Sequence, residues 1–121
     1  MSVEKITLSE AFDAFDEYWS PRIVGELNGQ HVKVARLHGE FEWHHHDDAD
    51  ELFLVVEGTL RIELRDDALT LEEGEFAVVP RGVEHKPVAD EEVEVVLFEP
   101  AGTVNTGNVE SDHTVEDPER L

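Results

Sequence analysis

Cysteine is absent from the 121-residue chain. Disulfide bonds, thiolate zinc sites and iron–sulfur clusters held by thiolates are therefore excluded. Length sets a second limit, because a chain of this size can form one hydrophobic core but is too short for two ordinary domains. We expect a single domain that folds without covalent cross-links.

Basic residues are scarce. The chain has 9 lysines and arginines against 30 aspartates and glutamates, which gives a formal net charge of −21. Such a charge repels nucleic acids and anionic membranes, so neither is expected as a partner. Hydrophobic residues still make up 40% of the chain, which favours a folded protein with an acidic surface. A halophilic source is one interpretation, since high salt screens the repulsion between surface carboxylates.

Long apolar segments are also missing. No stretch of the sequence reaches the length of a membrane-spanning helix. The N-terminus lacks the basic start and the apolar run of a signal peptide. We therefore expect a cytoplasmic protein that does not interact with membranes.

Short apolar segments with strand-like patterns occupy the middle of the chain. Turn residues separate them at intervals of roughly 8–12 residues, which is typical of an antiparallel barrel or sandwich. Residues 52–56 are apolar at consecutive positions, which predicts a strand buried on both faces. Four aromatic residues are expected in the core: Phe41, Trp43, Phe53 and Phe76.

The two ends of the chain differ from this middle part. Thr7 and Glu10 have the spacing of a capping box, and apolar residues at helical intervals predict a helix over about residues 8–18. The C-terminal part is polar and is expected to end in a mobile tail. The predicted organisation is an N-terminal helix and lead-in strand over 1–29, a barrel core over 30–100, and a polar C-terminal loop and tail over 101–121.

Three consecutive histidines at 44–46 are the most informative positions. A strand directs alternate side chains to one face, so His44 and His46 can share a face while His45 points to the other. Together with Glu51 and His85 they would form a nitrogen/oxygen set suited to a divalent transition metal. The residues between His46 and Glu51 are turn formers, and a turn or bulge there can direct Glu51 inward.

Two motifs around these residues resemble those of the cupins, a family of small β-barrel proteins. The motifs are Gly39…His44-x-His46-x(4)-Glu51-x(6)-Gly58 and Gly74-x(5)-Pro80-x-Gly82-x(2)-His85. The resemblance covers about residues 30–100 and implies an all-β, single-domain cupin barrel (jelly roll) with a short N-terminal helix. It also implies one divalent metal, such as Zn, Mn, Fe, Ni or Cu, inside the barrel. The ligands carried over from the family are His44, His46, Glu51 and His85.

A second register of the first motif stays open. The family pattern often has five residues between the first glycine and the first histidine, whereas four separate Gly39 from His44. Counting five selects His45, with Asp47 as its strand partner, in place of the His44 and His46 pair. We favour the first register, because imidazole is the commonest side-chain ligand.

The resemblance leaves the reaction open. The motif region resembles small cupins likened to mannose-6-phosphate isomerase, which implies an isomerase-like, metal-dependent enzyme acting on a small polar metabolite of the sugar or sugar-phosphate class. The alternatives are an iron-dependent dioxygenase and a non-catalytic metal- or sugar-binding module. No general base is identified, and the acidic surface disfavours a phosphorylated substrate unless Arg36 or Arg81 lies at the barrel mouth. We expect a homodimer, joined through an edge strand or the amphipathic helix.

Overall fold

The computed structural model describes residues 3–121, and within them the chain forms one helix and seven strands. The helix, α1, spans Leu8–Asp13. The strands are β1 Arg22–Leu27, β2 Gln30–Glu40, β3 Glu51–Glu57, β4 Leu60–Leu64, β5 Asp67–Leu71, β6 Phe76–Val79 and β7 His85–Pro100.

Strand β7 organises the sheet. All strand pairs are antiparallel, and the order is β1-β2-β7-β3-β6, with β4 paired to both β5 and β7. The first residues of β7 pair with β4, and its later residues lie between β2 and β3. The predicted all-β, antiparallel fold class is therefore confirmed.

The core lies between the inward faces of these strands. Fully buried side chains there include Val55 of β3, Ile62 of β4 and Val95 of β7. A smaller apolar cluster lies on the outer face of β2, where Phe12 and Phe15 pack against Val34. Helix α1 thus covers part of the outer face of the sheet.

Helix α1 is shorter than the predicted helix over residues 8–18, because it ends at Asp13. Thr7 occupies the N-cap position, but its side chain makes no capping hydrogen bond to the described residues. The backbone N–H of Trp19 donates to the carbonyl of Arg36 on β2, so the chain must leave the helix before it reaches Trp19. No helix within residues 3–121 is long and apolar enough to cross a membrane.

Strand β3 is buried on one face only, which differs from the prediction for residues 52–56. Phe53 and Val55 point inward and are 5% and 0% exposed. Leu52 and Leu54 point outward and are half-buried. An apolar strip of the sheet therefore faces outward beside helix α1.

Two of the four aromatic residues expected in the core lie outside it. Phe76 is 60% exposed on β6, because its register partner is the outward-facing Leu54. Trp43 is half-buried, and the guanidinium of Arg65 lies 3.9 Å from the centre of its ring. The prediction was wrong for Phe76, because an outward apolar side chain on an edge strand has the same sequence pattern as an inward one. Phe41 and Phe53 are buried, as predicted.

Candidate metal centre

His44 and His85 lie directly opposite each other. Each backbone N–H donates to the carbonyl of the other residue, at 3.0 and 2.9 Å, although no longer ladder continues from this bridge. The two imidazole centres are 4.3 Å apart. Local backbone pairing therefore brings the histidine of the second motif against the first histidine of the first motif.

The tautomers of these two histidines follow from their hydrogen bonds. Nδ1 of His44 lies 2.9 Å from the carbonyl oxygen of Glu42, and Nδ1 of His85 lies 2.9 Å from that of Val83. A carbonyl oxygen only accepts, so each Nδ1 carries the hydrogen and donates it. Each Nε2 is left with a lone pair, which is the form in which imidazole binds metals.

Glu51 is the first residue of β3 and shares the inward face with Phe53. Its Oε1 lies 3.4 Å from Nε2 of His46 and 3.6 Å from Nε2 of His85. The turn that precedes it is held by Asp50, whose Oδ1 accepts from the backbone N–H of Arg81 at 2.9 Å. The expected turn between His46 and Glu51 is present and directs the carboxylate inward.

The four side chains form one buried group. His44, His46, Glu51 and His85 each offer a ligand atom, and these atoms all lie within 4.8 Å of one another. None of the four residues is more than 7% exposed. Within the described chain, Nε2 of His46, Nε2 of His85 and Oε1 of Glu51 are buried without a hydrogen-bond partner. Buried polar atoms normally have partners, and a cation held by these atoms would satisfy all three.

The protonation states also suit a metal site. Burial, with smaller contributions from His85 and His46, lowers the pKa of His44 to about 4. Burial alone would raise the pKa of Glu51, but the neighbouring side chains of Glu99, His46 and His85 outweigh it and hold the pKa well below its usual value. At neutral pH His44 is therefore neutral and Glu51 is ionised, as metal ligands must be.

His45 lies outside this group. Its Nδ1 is 2.9 Å from Oε2 of Glu84, and its Nε2 is 2.9 Å from Oδ1 of Asp47. The hydrogen bond that His45 donates to the Glu84 carboxylate, and the carboxylate of Asp47, raise the pKa of His45 above its usual value despite partial desolvation. The structure thus brings together the side chains of the first register and directs those of the second register, His45 and Asp47, to the surface.

Lys33 and Glu99 are two buried residues near the centre that sequence reasoning missed. Nζ of Lys33 donates to Oε1 of Glu99 at 2.8 Å, and the two side chains are 2% and 1% exposed. Burial and the adjacent carboxylate of Glu51 raise the pKa of Glu99 well above its usual value. The sequence contained one indication that Lys33 is buried. Lys33 lies at the same alternating positions of β2 as the inward residues Ala35 and Leu37.

The C-terminal segment holds the backbone of the histidine triplet. The N–H of His45 donates to Oδ1 of Asn108 at 2.8 Å, and the N–H of Asn108 donates to the carbonyl of His45 at 3.0 Å. A Cβ added to Gly107 would lie 2.1 Å from that same carbonyl oxygen. Residues 101–121 form no named strand or helix, yet their contacts fix the backbone beside two of the candidate ligands.

Trp19 closes one side of the centre. Its backbone has a φ of 57°, a left-handed conformation that is unusual for a bulky residue. Its Nε1 donates to the carbonyl of His38 at 2.9 Å, and its ring stacks on Phe41 at 4.7 Å. Between these aromatic rings and the ligands His44 and Glu51 lies a small cavity of about 30 Å³.

A larger cleft adjoins His46. Its volume is about 320 Å³, and it lies between the turn at residues 47–49 and the C-terminal segment. The side of the cleft formed by that segment includes Thr103 and Asn108. This volume falls at the lower end of the range for small-molecule sites.

Comparisons with known proteins agree with the fold and the motifs. Residues 31–99 match the family described as Cupin domain. A 64-residue stretch is 39% identical to the uncharacterized protein YdbB of Bacillus subtilis (strain 168), and the match covers 52% of this chain and 57% of YdbB. The chain therefore spans little more than half the length of that relative.

Two solved structures are similar over most of their length. A cupin-2 domain containing protein from Shewanella frigidimarina NCIMB 400 is 47% identical, with a TM-score of 0.78, over 78% of this chain and 93% of the other. Protein NMB1881 from Neisseria meningitidis is 34% identical, with a TM-score of 0.74, over 81% of this chain and 100% of the other. Since the family match covers more than half of its residues, the chain belongs to the cupin family.

Proposed function

We propose that this protein binds one divalent transition metal through His44, His46, Glu51 and His85, and acts on a small polar metabolite without a phosphate group. The observation that carries the metal site is the set of three buried polar atoms without partners, all directed at one another. Leaving such atoms unpaired in a protein interior is unfavourable, and a metal ion removes that penalty.

The cleft beside His46 supports a polar substrate. Asp47, Asp48, Thr103 and Asn108 line it and offer hydrogen-bonding groups. Of the described residues that line it, none is lysine or arginine. Acidic side chains at this cleft repel a phosphate, so an uncharged polyol or sugar fits it better than a sugar phosphate.

The two arginines considered for phosphate binding support the same conclusion. The guanidinium of Arg36 lies on the outer face under helix α1, where it donates to the carbonyls of Phe12 and Phe15. Arg81 is exposed and is paired with Asp50. Arg36 is directed away from the centre, and Arg81 does not line the cleft beside His46, so neither forms a phosphate pocket there.

The chemistry proposed is isomerase-like. A divalent ion held by the four ligand side chains would supply Lewis-acid chemistry at a carbonyl group of the substrate. The chain itself supplies a dry environment, since the four ligand side chains are buried and Trp19 and Phe41 cover the small cavity beside them. The hydrogen bonds from Nδ1 of His44 and His85 keep both rings in one orientation.

Metal analysis of protein purified anaerobically, without chelator, tests this proposal. We expect about one divalent ion per chain and turnover without oxygen of an uncharged sugar or polyol, with little or none of its phosphate ester. Oxygen consumption with a redox-active metal would instead indicate a dioxygenase. Bound metal that raises the melting temperature without turnover of any compound would indicate a binding module. Protein that holds no metal and takes none up on addition would refute the metal site.

We also propose a homodimer formed through the open edge of the sheet. Among the described residues β6 pairs only with β3, so its second edge is free. Two other strands lie at edges of the sheet: β1 is covered by residues 119–121, because the backbone N–H of Leu121 donates to the carbonyl of Ile23, and β5 pairs only with β4 among the described residues but exposes no large apolar side chain. Phe76 and Val78 are 60% and 51% exposed on β6, and a second copy would cover them.

Phe76→Glu is expected to weaken dimerisation at least roughly tenfold. The substitution places a charge among the outward apolar side chains of Leu54, Phe76 and Val78. Leu27→Glu is the matched control on β1, where the leucine is 47% exposed, and should leave the dimer intact. Sedimentation velocity in dilute buffer and in molar KCl measures both effects. The wild-type dimer should be stronger in KCl, as the −21 charge and a halophilic source imply. A monomer at all salt concentrations, or a dimer sensitive only to Leu27→Glu, would contradict this interface.

A further inference from the structure

Three charged residues form a row on the inward face of three neighbouring strands. Lys33 belongs to β2, Glu99 to β7 and Glu51 to β3, and these strands are adjacent in the sheet. Leu52 pairs with Phe98, so Glu51 and Glu99 occupy the next position of the same ladder. Lys33 reaches Glu99 across the ladder between β2 and β7, with Nζ at 2.8 Å from Oε1.

The row continues into the candidate metal centre. Glu99 lies opposite Glu51 on the neighbouring strand, and its Oε2 is buried without a hydrogen-bond partner among the described residues. Oε1 of Glu51 is the oxygen that lies 3.4 Å from His46 and 3.6 Å from His85. The row therefore leads from the ammonium of Lys33, through the carboxyl group of Glu99, to the carboxylate of Glu51 at the centre.

Stability alone does not explain why the ion pair of Lys33 and Glu99 is buried. Removing an ammonium and a carboxyl from water is unfavourable, and apolar residues of similar volume often serve as well. Deeper in the core, the inward positions on β2 and β7 are apolar, namely Ala35, Leu37 and Leu97, whereas His31, on the other side of Lys33, is polar. The pair of Lys33 and Glu99 lies where the neighbouring strand β3 places Glu51 opposite Glu99.

We propose that Lys33 and Glu99 are positioning residues of the metal centre: Glu99 orients the carboxylate of Glu51 toward His46 and His85, and Lys33 holds Glu99 in place. This inference rests on the proposed metal-binding function. Without Lys33, two adjacent carboxyl groups would face each other with no cation beside them, and Glu51 would turn away. Without Glu99, Glu51 would lose the group that fixes its rotamer.

Titration with Co²⁺, followed by visible absorption, tests this role. Lys33→Met and Glu99→Leu are each expected to weaken Co²⁺ binding by roughly 10- to 100-fold, as is usual when a group that orients a ligand is removed. The absorption bands should also shift, because the orientation of Glu51 changes. Glu99→Gln should bind Co²⁺ within about threefold of wild type, because its amide can still accept from Lys33 and donate to Glu51.

The pair formed by Arg36 and Glu94 is a matched control. It joins the same two strands at 3.1 Å, but on the outer face of the sheet. Arg36→Met should affect only thermal stability and leave Co²⁺ affinity and spectrum unchanged. The double variant Lys33→Met/Glu99→Leu removes both buried charges together, so it provides a folded protein if either single variant fails to fold.

Two results separate the failure of this inference from the failure of the proposed function. If wild-type protein binds Co²⁺ and the Lys33 and Glu99 variants bind it equally well, with the same spectrum, the pair only stabilises the barrel and the inference is overturned. If wild-type protein binds no Co²⁺, the metal site itself is refuted and the inference is refuted with it.

Discussion

His85→Ala is expected to abolish stoichiometric metal binding. His85 is fully buried, its Nε2 has no other partner within the described chain, and it is the ligand that the second motif contributes. Its loss removes one of four donors, so affinity should fall by more than the roughly 100-fold upper range for groups that only orient a ligand. Its backbone bonds to His44 do not involve the side chain, so the strand pairing is retained. Isothermal titration with Zn²⁺ or Co²⁺, with circular dichroism as a check of folding, measures the effect.

His45→Ala is the matched control for His85→Ala. It removes an imidazole from the same histidine triplet, but one whose two nitrogens face Glu84 and Asp47. Metal affinity should stay close to that of wild type. Loss of metal in His45→Ala together with retention in His44→Ala would favour the register that uses His45 and Asp47.

Gly107→Ala is expected to destabilise the protein by about 2–4 kcal/mol, in the upper part of the range for single substitutions. The new Cβ would lie 2.1 Å from the carbonyl oxygen of His45 and 3.2 Å from Cδ2 of His44. Because backbone occupies that space, either the C-terminal segment or the histidine triplet must move. Urea denaturation of the metal-free protein measures the loss, and metal affinity should fall with it because His44 is displaced.

Gly102→Ala separates the steric contact from backbone strain. Gly102 also has a positive φ, at 90°, but a Cβ there would meet none of the described residues within 4 Å. It should cost only about 1 kcal/mol, the usual penalty for a side chain in the left-handed region. Equal losses in the two variants would show that the contact of Gly107 with the triplet is unimportant.

The candidate ligands were predictable because their spacing has a simple physical meaning. Alternation along an extended segment separates His44 and His46 from His45, and a turn at residues 47–50 directs Glu51 inward. The opposition of His44 and His85 was implied only by the resemblance to the cupins. The alternation along the triplet and the turn before Glu51 are local features, so predicting them required no knowledge of which distant strands pair.

The roles of Lys33 and Glu99 could not be predicted, because they depend on pairing between strands far apart in sequence. A lysine between two valines has the pattern of a solvated strand face. Only the ladders of β7 with β2 and with β3 place Lys33 and Glu99 beside Glu51. The exposure of Phe76 could not be predicted for a related reason, because the sequence does not show that β6 is an edge strand.

The hydrogen bonds between His45 and Asn108 bear on when the centre can form. The two residues are 63 positions apart, and Glu99 also comes late in the chain. During synthesis the histidine triplet emerges well before the residues that set its backbone and orient Glu51. Unlike a zinc finger, in which closely spaced ligands capture the ion and thereby drive folding, this barrel must assemble first. We therefore expect metal to bind after the segment that contains Glu99 and Asn108 has packed beside the triplet.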